Sequence, residues 1–145
     1  MDQLKLENQI CFPFYALSRL IIRAYQPHLE ELGITYPQFL VMLVLWEQDG
    51  QSVNQIGEKL ILNTNTITPL LKRMEQMELI HRRKAKDDER KVLISLAPKG
   101  LSMKEKASCI PDALLANVAG EKIERSQFDE LKSQLNLWID ALKKE

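Results

Sequence analysis

The sequence is poor in the residues that mark the more specialised protein classes. Two cysteines, Cys11 and Cys109, and two histidines are spread over 145 residues, too few and too scattered for a disulfide framework or for the ligand spacing of a metal site. No metal and no cofactor is therefore expected. No apolar run approaches the roughly 18 residues of a membrane span, and the opening MDQLKLENQI lacks the basic start and apolar block of an export signal. The expectation is a protein of the cytoplasm that does not enter membranes, with cysteines that serve packing or redox chemistry. The chain is long enough for one domain, 1–145, and short for two.

Net charge is also lacking: 20 basic and 20 acidic side chains cancel, which argues against a generally basic nucleic-acid binder. The cancellation conceals an asymmetry. Residues 1–50 carry three basic and six acidic groups, whereas Lys72, Arg73, Arg82, Arg83, Lys84, Lys86, Arg90 and Lys91 outnumber the acidic side chains between residues 64 and 91. A local basic patch of this kind suits phosphate. A solvated charged face is the alternative.

What is abundant is helical periodicity. From Leu6 to about Leu32, Ile10, Phe14, Leu17, Ile21 and Ala24 recur at three- and four-residue spacing and predict one long amphipathic helix ended by Gly33. Thr35 as N-cap with Pro37 in the first turn opens a second helix, FLVMLVLWEQ, apolar nearly all round and hence buried. After a DGQS turn come a short helix, VNQIGEKL, and another starting between Asn63 and Thr66 and running to about Met77; the pair reads as a helix-turn-helix. Pro69 removes a backbone donor and favours the later start. Residues 79–97 alternate as a β-hairpin with the charged tip DDER, a wing. A long helix from Pro98 to about Val118, a break at Ala119–Gly120, and a last helix from Ser126 to Lys144 bearing Leu131, Leu135, Trp138 and Leu142 complete the chain. The fold class is mainly α with a small β wing. The terminal helices carry more apolar surface than a small winged helix covers, which predicts a symmetric homodimer.

This order of elements, with TYPQFLVMLVLWE, ITPLLKRMEQMELIHR and the wing DERKVLISL, resembles the MarR family of bacterial transcription regulators. LENQICFPFYALSR, followed by Tyr25 and Pro27, is similar to its OhrR branch, which senses organic hydroperoxides. The resemblance covers about residues 4–118 and implies a winged helix-turn-helix part over about 36–97, with dimerisation helices over about 4–33 and 98–145. It implies a homodimeric repressor that sets the second helix of each motif in successive major grooves of an inverted-repeat operator in double-stranded DNA.

The residues agree with that implication. Thr64, Asn65, Thr66 and Thr68 place short polar groups at the amino end of the second helix, within reach of base edges or phosphates, and Lys72 and Arg73 follow to meet the backbone. Some of the four can equally be helix caps. Asp88 and Arg90 match the family's wing motif, in which the arginine enters the minor groove and the aspartate orients it; a surface ion pair is the alternative. Glu78 stands where the family often ends this helix with glycine.

Cys11, Tyr15, Ser18, Ile22 and Tyr25 fall at i, i+4, i+7, i+11 and i+14, one helical stripe beside the apolar one. At 1.5 Å per residue Tyr25 lies about 21 Å from Cys11 along the axis, so a site that uses both must draw one from a partner subunit. The resemblance implies such a site: Cys11 as the redox-sensing thiolate, with Tyr15, Tyr25 and Tyr36 stabilising it across the dimer, and Phe12, Phe14 and Trp46 as candidate apolar walls. Otherwise the tyrosines only anchor an interface. In two-cysteine relatives the resolving cysteine lies near the position of Leu114 to Ala116, about one turn beyond Cys109. Cys109 is thus either the resolving thiol or a packing residue, and in the second case a low-molecular-weight thiol would cap Cys11.

Two rival functions are a regulator of the same family answering to a reversible aromatic ligand or another oxidant, and a thiol-dependent peroxidase; the family reading implies that the chain is not an enzyme. Pro13 leaves a structural alternative. It either kinks the first helix or starts it at Phe12, and a start there would put Cys11 at the positive end of the helix dipole, which favours a thiolate.

Overall fold

The computed structural model describes residues 1–119 and 123–143. The chain divides into two compact units, Met1–Ile110 and Pro111–Glu145.

The first unit opens with two 3-10 turns, Asp2–Leu4 and Leu6–Asn8, before helix α1, Phe12–Leu32. The helix expected from Leu6 therefore begins six residues later, because Pro13 in its first turn has no N–H for the carbonyl of Gln9 and its ring would crowd that carbonyl. Gly33 ends α1 in the left-handed region (φ 68°), donating to Glu30 while Ile34 donates to Leu29. Helix α2, Tyr36–Glu47, starts where Thr35 and Pro37 predicted, and the Thr35 N–H donates to Gln38 Oε1 at 2.9 Å. Six of its twelve residues are buried, Phe39, Val41 and Met42 among them. Trp46, a candidate wall for the thiol, instead packs its ring on Phe39 and donates Nε1–H to the Gly100 carbonyl at 3.0 Å.

The DGQS segment is more than a turn. Gln51–Ser52 form a short strand β1 held by Asp49, whose carboxylate accepts the N–H groups of Gly50 and Leu96. Two residues are too few to show an alternation, so only the pairing partner reveals the strand. Helix α3, Val53–Leu60, is capped by Ser52, and its C-cap Ile61 adopts φ 56°, an uncommon conformation for a β-branched side chain. Helix α4, Thr64–Gln76, starts at the early end of the expected range because Asn63 Oδ1 accepts the Thr66 N–H at 3.0 Å. Pro69 consequently lies inside the helix, so the cap outweighs one lost exposed backbone bond. Glu78 follows with φ 61°, which costs about 1 kcal/mol relative to the glycine that such a position favours.

Strands β2, Ile80–Lys84, and β3, Val92–Leu96, form the predicted hairpin, with Ile80 opposite Leu96 and Lys84 opposite Val92; the sheet order is β1-β3-β2. Helix α5, Pro98–Ala107, ends earlier than the long helix expected to reach Val118, and α6, Ile110–Ala119, follows a turn at Ser108–Cys109. Pro111 is the reason, since its ring would strike the Ala107 carbonyl in a continuous helix. Ile56, Ile67, Leu71, Met74, Leu79 and Ile94 join the buried apolar residues of α2 in one core. Gly100 lets α5 cross this core: a Cβ there would come within 2.1 Å of the Leu79 carbonyl oxygen.

In the second unit α7, Arg125–Leu142, matches the predicted last helix as far as Leu142; Lys144 and the Gly120 break lie outside the described residues. Leu131, Leu137, Trp138 and Leu142 are exposed along it. A groove of about 760 Å³ lined by Leu115, Ala116, Ile123 and Phe128 runs between α6 and α7.

Candidate functional site

Cys11 is the N-cap of α1 and is exposed, and its carbonyl accepts the Tyr15 N–H at 3.3 Å. Pro13 thus starts the helix, and Cys11 sits at its positive end. Phe12 and Tyr15 lie beside it with ring centroids 6.3 Å apart, and the Arg19 guanidinium stands 5.7 Å from the Tyr15 ring. Tyr15 is largely exposed.

The other two tyrosines meet away from Cys11, Tyr25 in the second half of α1 and Tyr36 at the start of α2. Tyr25 and Tyr36 have centroids 4.9 Å apart, and Phe39 lies 5.7 Å from Tyr25. Burial raises the Tyr25 phenol above its ordinary value, with a further push from Tyr36, and burial alone raises Tyr36. At neutral pH both hydroxyls are therefore protonated donors. Next to them Ile22, Gln26, Leu29, Ile34, Tyr36 and Pro37 line an open, mainly apolar groove of about 330 Å³. The four residues expected to form a sensor thus fall into two separate groups in one chain, Cys11 with Tyr15 and Tyr25 with Tyr36. Cys109 is exposed in the turn between α5 and α6, its Sγ 3.5 Å from the Lys106 carbonyl.

The basic middle of the chain forms a second surface. Thr64, Asn65 and Thr66 are exposed at the start of α4, and Lys72 and Arg73 are exposed further along. Thr66 is partly committed to the cap, donating its hydroxyl to Asn63 Oδ1 at 3.0 Å. At the wing tip Asp88 Oδ1 accepts both the backbone N–H and the Nε–H of Arg90, at 3.0 and 3.1 Å, while the Arg90 side chain is 92% exposed. Those hydrogen bonds lower the Asp88 carboxyl below its ordinary value, so the pair persists as an ion pair near neutrality. A concavity of about 170 Å³ joins helix and wing, lined by Ser52, Thr64, Thr68, Arg82, Arg90 and Lys91. Arg82 was visible in the sequence only as one more basic residue. It ties the wing to α4 through Glu75, which accepts its backbone N–H at 3.0 Å and approaches Nη1 at 3.5 Å.

Residues 23–107 match the family of SarA/Rot transcriptional regulators. The chain is 46% identical over 143 residues to the organic hydroperoxide resistance transcriptional regulator of Bacillus subtilis, covering 97% of this chain and 94% of that protein. Among solved structures it resembles AbfR of Staphylococcus epidermidis. The reduced, DNA-bound form of AbfR gives 37% identity and a TM-score of 0.74, covering 96% of this chain and 98% of that one; a disulfide-formed AbfR gives 36% and 0.64, covering 99% and 93%. A MarR-family regulator from Rhodococcus, 19% identical with a TM-score of 0.80 over 91% of this chain and 93% of that one, shares the fold.

Proposed function

The chain belongs to the MarR/SarA-type transcriptional regulators, and on that premise we propose that it is a homodimeric, cytoplasmic DNA-binding repressor, not an enzyme, that senses organic hydroperoxides through Cys11 and then leaves its operator. In this reading residues 36–97 read an inverted repeat in double-stranded DNA, and residues 4–33 and 98–145 form the dimer. The observation that carries it is the separation of Cys11 from Tyr25 along one 21-residue helix, with a protonated Tyr25–Tyr36 pair and an open apolar groove remote from the thiol. A second copy of the chain supplies what each half lacks.

The chemistry is a two-electron oxidation. The Cys11 thiolate attacks one peroxide oxygen; an S–O bond forms, the O–O bond breaks, and the alkoxide leaves and takes up a proton as the alcohol. Tyr15, and Tyr25 and Tyr36 of the facing copy, donate hydrogen bonds to the thiolate, and the apolar surround favours an organic peroxide. A second thiol, from Cys109 or a small cellular thiol, then condenses with the sulfenic acid, forming the disulfide and releasing water. Loss of the thiolate's hydrogen bonds shifts the dimer away from the spacing that suits two major grooves. A coupling of roughly 3 kcal/mol, about 150-fold in affinity, is of the size such rearrangements supply.

On the DNA side, Thr64, Asn65, Thr66 and Thr68 face base edges and phosphates, Lys72 and Arg73 hold the backbone, and Arg90, aimed by Asp88, enters the minor groove. A peroxidase would leave Arg90 and the threonine-bearing helix without a task. The test is a mobility assay of reduced protein on operator DNA, titrated with an organic hydroperoxide and then with dithiothreitol. Wild type is expected to release DNA and rebind on reduction, whereas Cys11→Ser stays bound. Release of Cys11→Ser at the same dose would sink the sensor and favour a reversible ligand. Cys109→Ser, followed on non-reducing gels, tells whether Cys109 or a small thiol resolves the sulfenic acid.

A further inference from the structure

Among the described residues two polar side chains are buried, Gln38 and Gln51, and they spend their amides differently. Gln51 donates to the carbonyls of Val44 and Gln48 at 3.1 and 2.6 Å, closing its own neighbourhood. Gln38 reaches across the fold. Its Oε1 accepts the Thr35 N–H at 2.9 Å and so closes the first turn of α2, while its Nε2 donates to the Met77 sulfur, 39 residues away, at 3.4 Å.

Both ends of this link matter to the function proposed above. Tyr36, which packs on Tyr25, is the first residue of the α2 turn that Gln38 closes. Met77 is the C-cap of α4, the helix that carries Thr64 to Arg73, and its N–H donates to the Arg73 carbonyl at 3.0 Å. The same short stretch is gripped from α5. Lys99 Nζ donates to the Met77 carbonyl at 2.9 Å, and the Leu79 carbonyl accepts the Ala97 N–H at 3.0 Å.

We propose that Gln38 is a positioning residue that couples the Tyr25–Tyr36 pair to the C-terminal end of the reading helix. This rests on the repressor reading above and adds the internal route from sensor to DNA. A buried amide N–H left without an acceptor is costly, so the first turn of α2 cannot shift while Met77 stays still unless that bond is lost. Displacement of Tyr36 on oxidation of the thiol therefore pulls on the end of α4. A thioether is a weak acceptor, which makes this bond, among those that hold α2, the easiest to exchange between two arrangements.

Met77→Leu tests the link most cleanly, because it keeps the apolar volume and the Gln38 cap and removes only the acceptor. Gln38→Leu removes both. For wild type and each variant, operator Kd is measured reduced and after treatment with tert-butyl hydroperoxide, and intact mass reports oxidation at Cys11 and at the methionines. The expected result for Met77→Leu is an unchanged rate of Cys11 oxidation and a ratio of oxidised to reduced Kd that falls roughly fivefold. Gln38→Leu should lose at least as much. A merely structural glutamine would shift the melting temperature and leave that ratio alone. A wild-type ratio in both variants, with wild type releasing DNA normally, overturns the coupling and spares the repressor reading. If oxidised wild type keeps its DNA affinity, the repressor reading fails and the coupling falls with it.

Discussion

Helices α1 and α2 are adjacent in sequence and opposite in how they satisfy their apolar residues. Six residues of α2 are buried within the chain, whereas in the longer α1 Leu29 is the one buried residue, and Phe12, Phe14, Tyr15, Leu17, Leu20 and Ile22 remain exposed. Burying what each such side chain still exposes would contribute about 1 kcal/mol. The segment from α2 through the wing is thus finished within one chain. The first helix is written for a second copy, and it carries Cys11, Tyr15 and Tyr25 of the proposed sensor, while Tyr36 opens α2. In the proposed mechanism a redox event at Cys11 acts where packing is supplied by association and not by the fold, the region whose geometry costs least to change.

The finished half should be the more fragile to a single atom. Gly100→Ala would press a Cβ against the backbone carbonyl of Leu79, which cannot swing aside, and the expected loss is about 3 kcal/mol in urea unfolding. An unchanged midpoint would mean that α5 is free to slide and that the two regions differ less than described. Arg90→Ala tests the same half without touching its packing, since that side chain is almost wholly exposed. Operator affinity should drop by about 1–3 kcal/mol with the unfolding curve unmoved; equal affinity would remove the wing from recognition.

The smallest effect belongs to the open half and appears only at high pH. Burial raises Tyr25 and Tyr36 above the ordinary value of 10.0. Between that value and the raised one, the folded chain holds protons the unfolded chain has released. The stability they provide is therefore complete below pH 10 and is lost as pH rises further. Tyr25→Phe, in α1, should flatten the decline in melting temperature above pH 10. A decline as steep as in wild type would show that other groups govern it.

Much of this was legible in the residues. Thr35 and Gly33 mark element ends because their chemistry is satisfied within a few residues, and the spacing of Cys11 and Tyr25 alone excludes a one-chain sensor that uses both. Strand β1 was not legible, because its two residues become a strand only against Ile94 and Leu93. Nor was the role of Trp46, an apolar aromatic whose place as core or as pocket wall depends on where Gly100 arrives. Pro111 was readable in principle: the same ring chemistry that starts α1 at Pro13 divides α5 from α6, and the apolar periodicity running through it masked the break.

Local sequence by itself determined where the helices begin and end, and that one chain cannot bring Tyr25 to Cys11, because caps, prolines and helical rise act over a few residues or along one axis. Tertiary structure alone decided that Tyr36 meets Tyr25, that Arg82 answers Glu75, and that the amide of Gln38 finds the sulfur of Met77. Those pairings join residues of different secondary-structure elements, Gln38 and Met77 across 39 positions of the chain. They exist only once the core has folded, since burial is what obliges a polar group to find a distant partner.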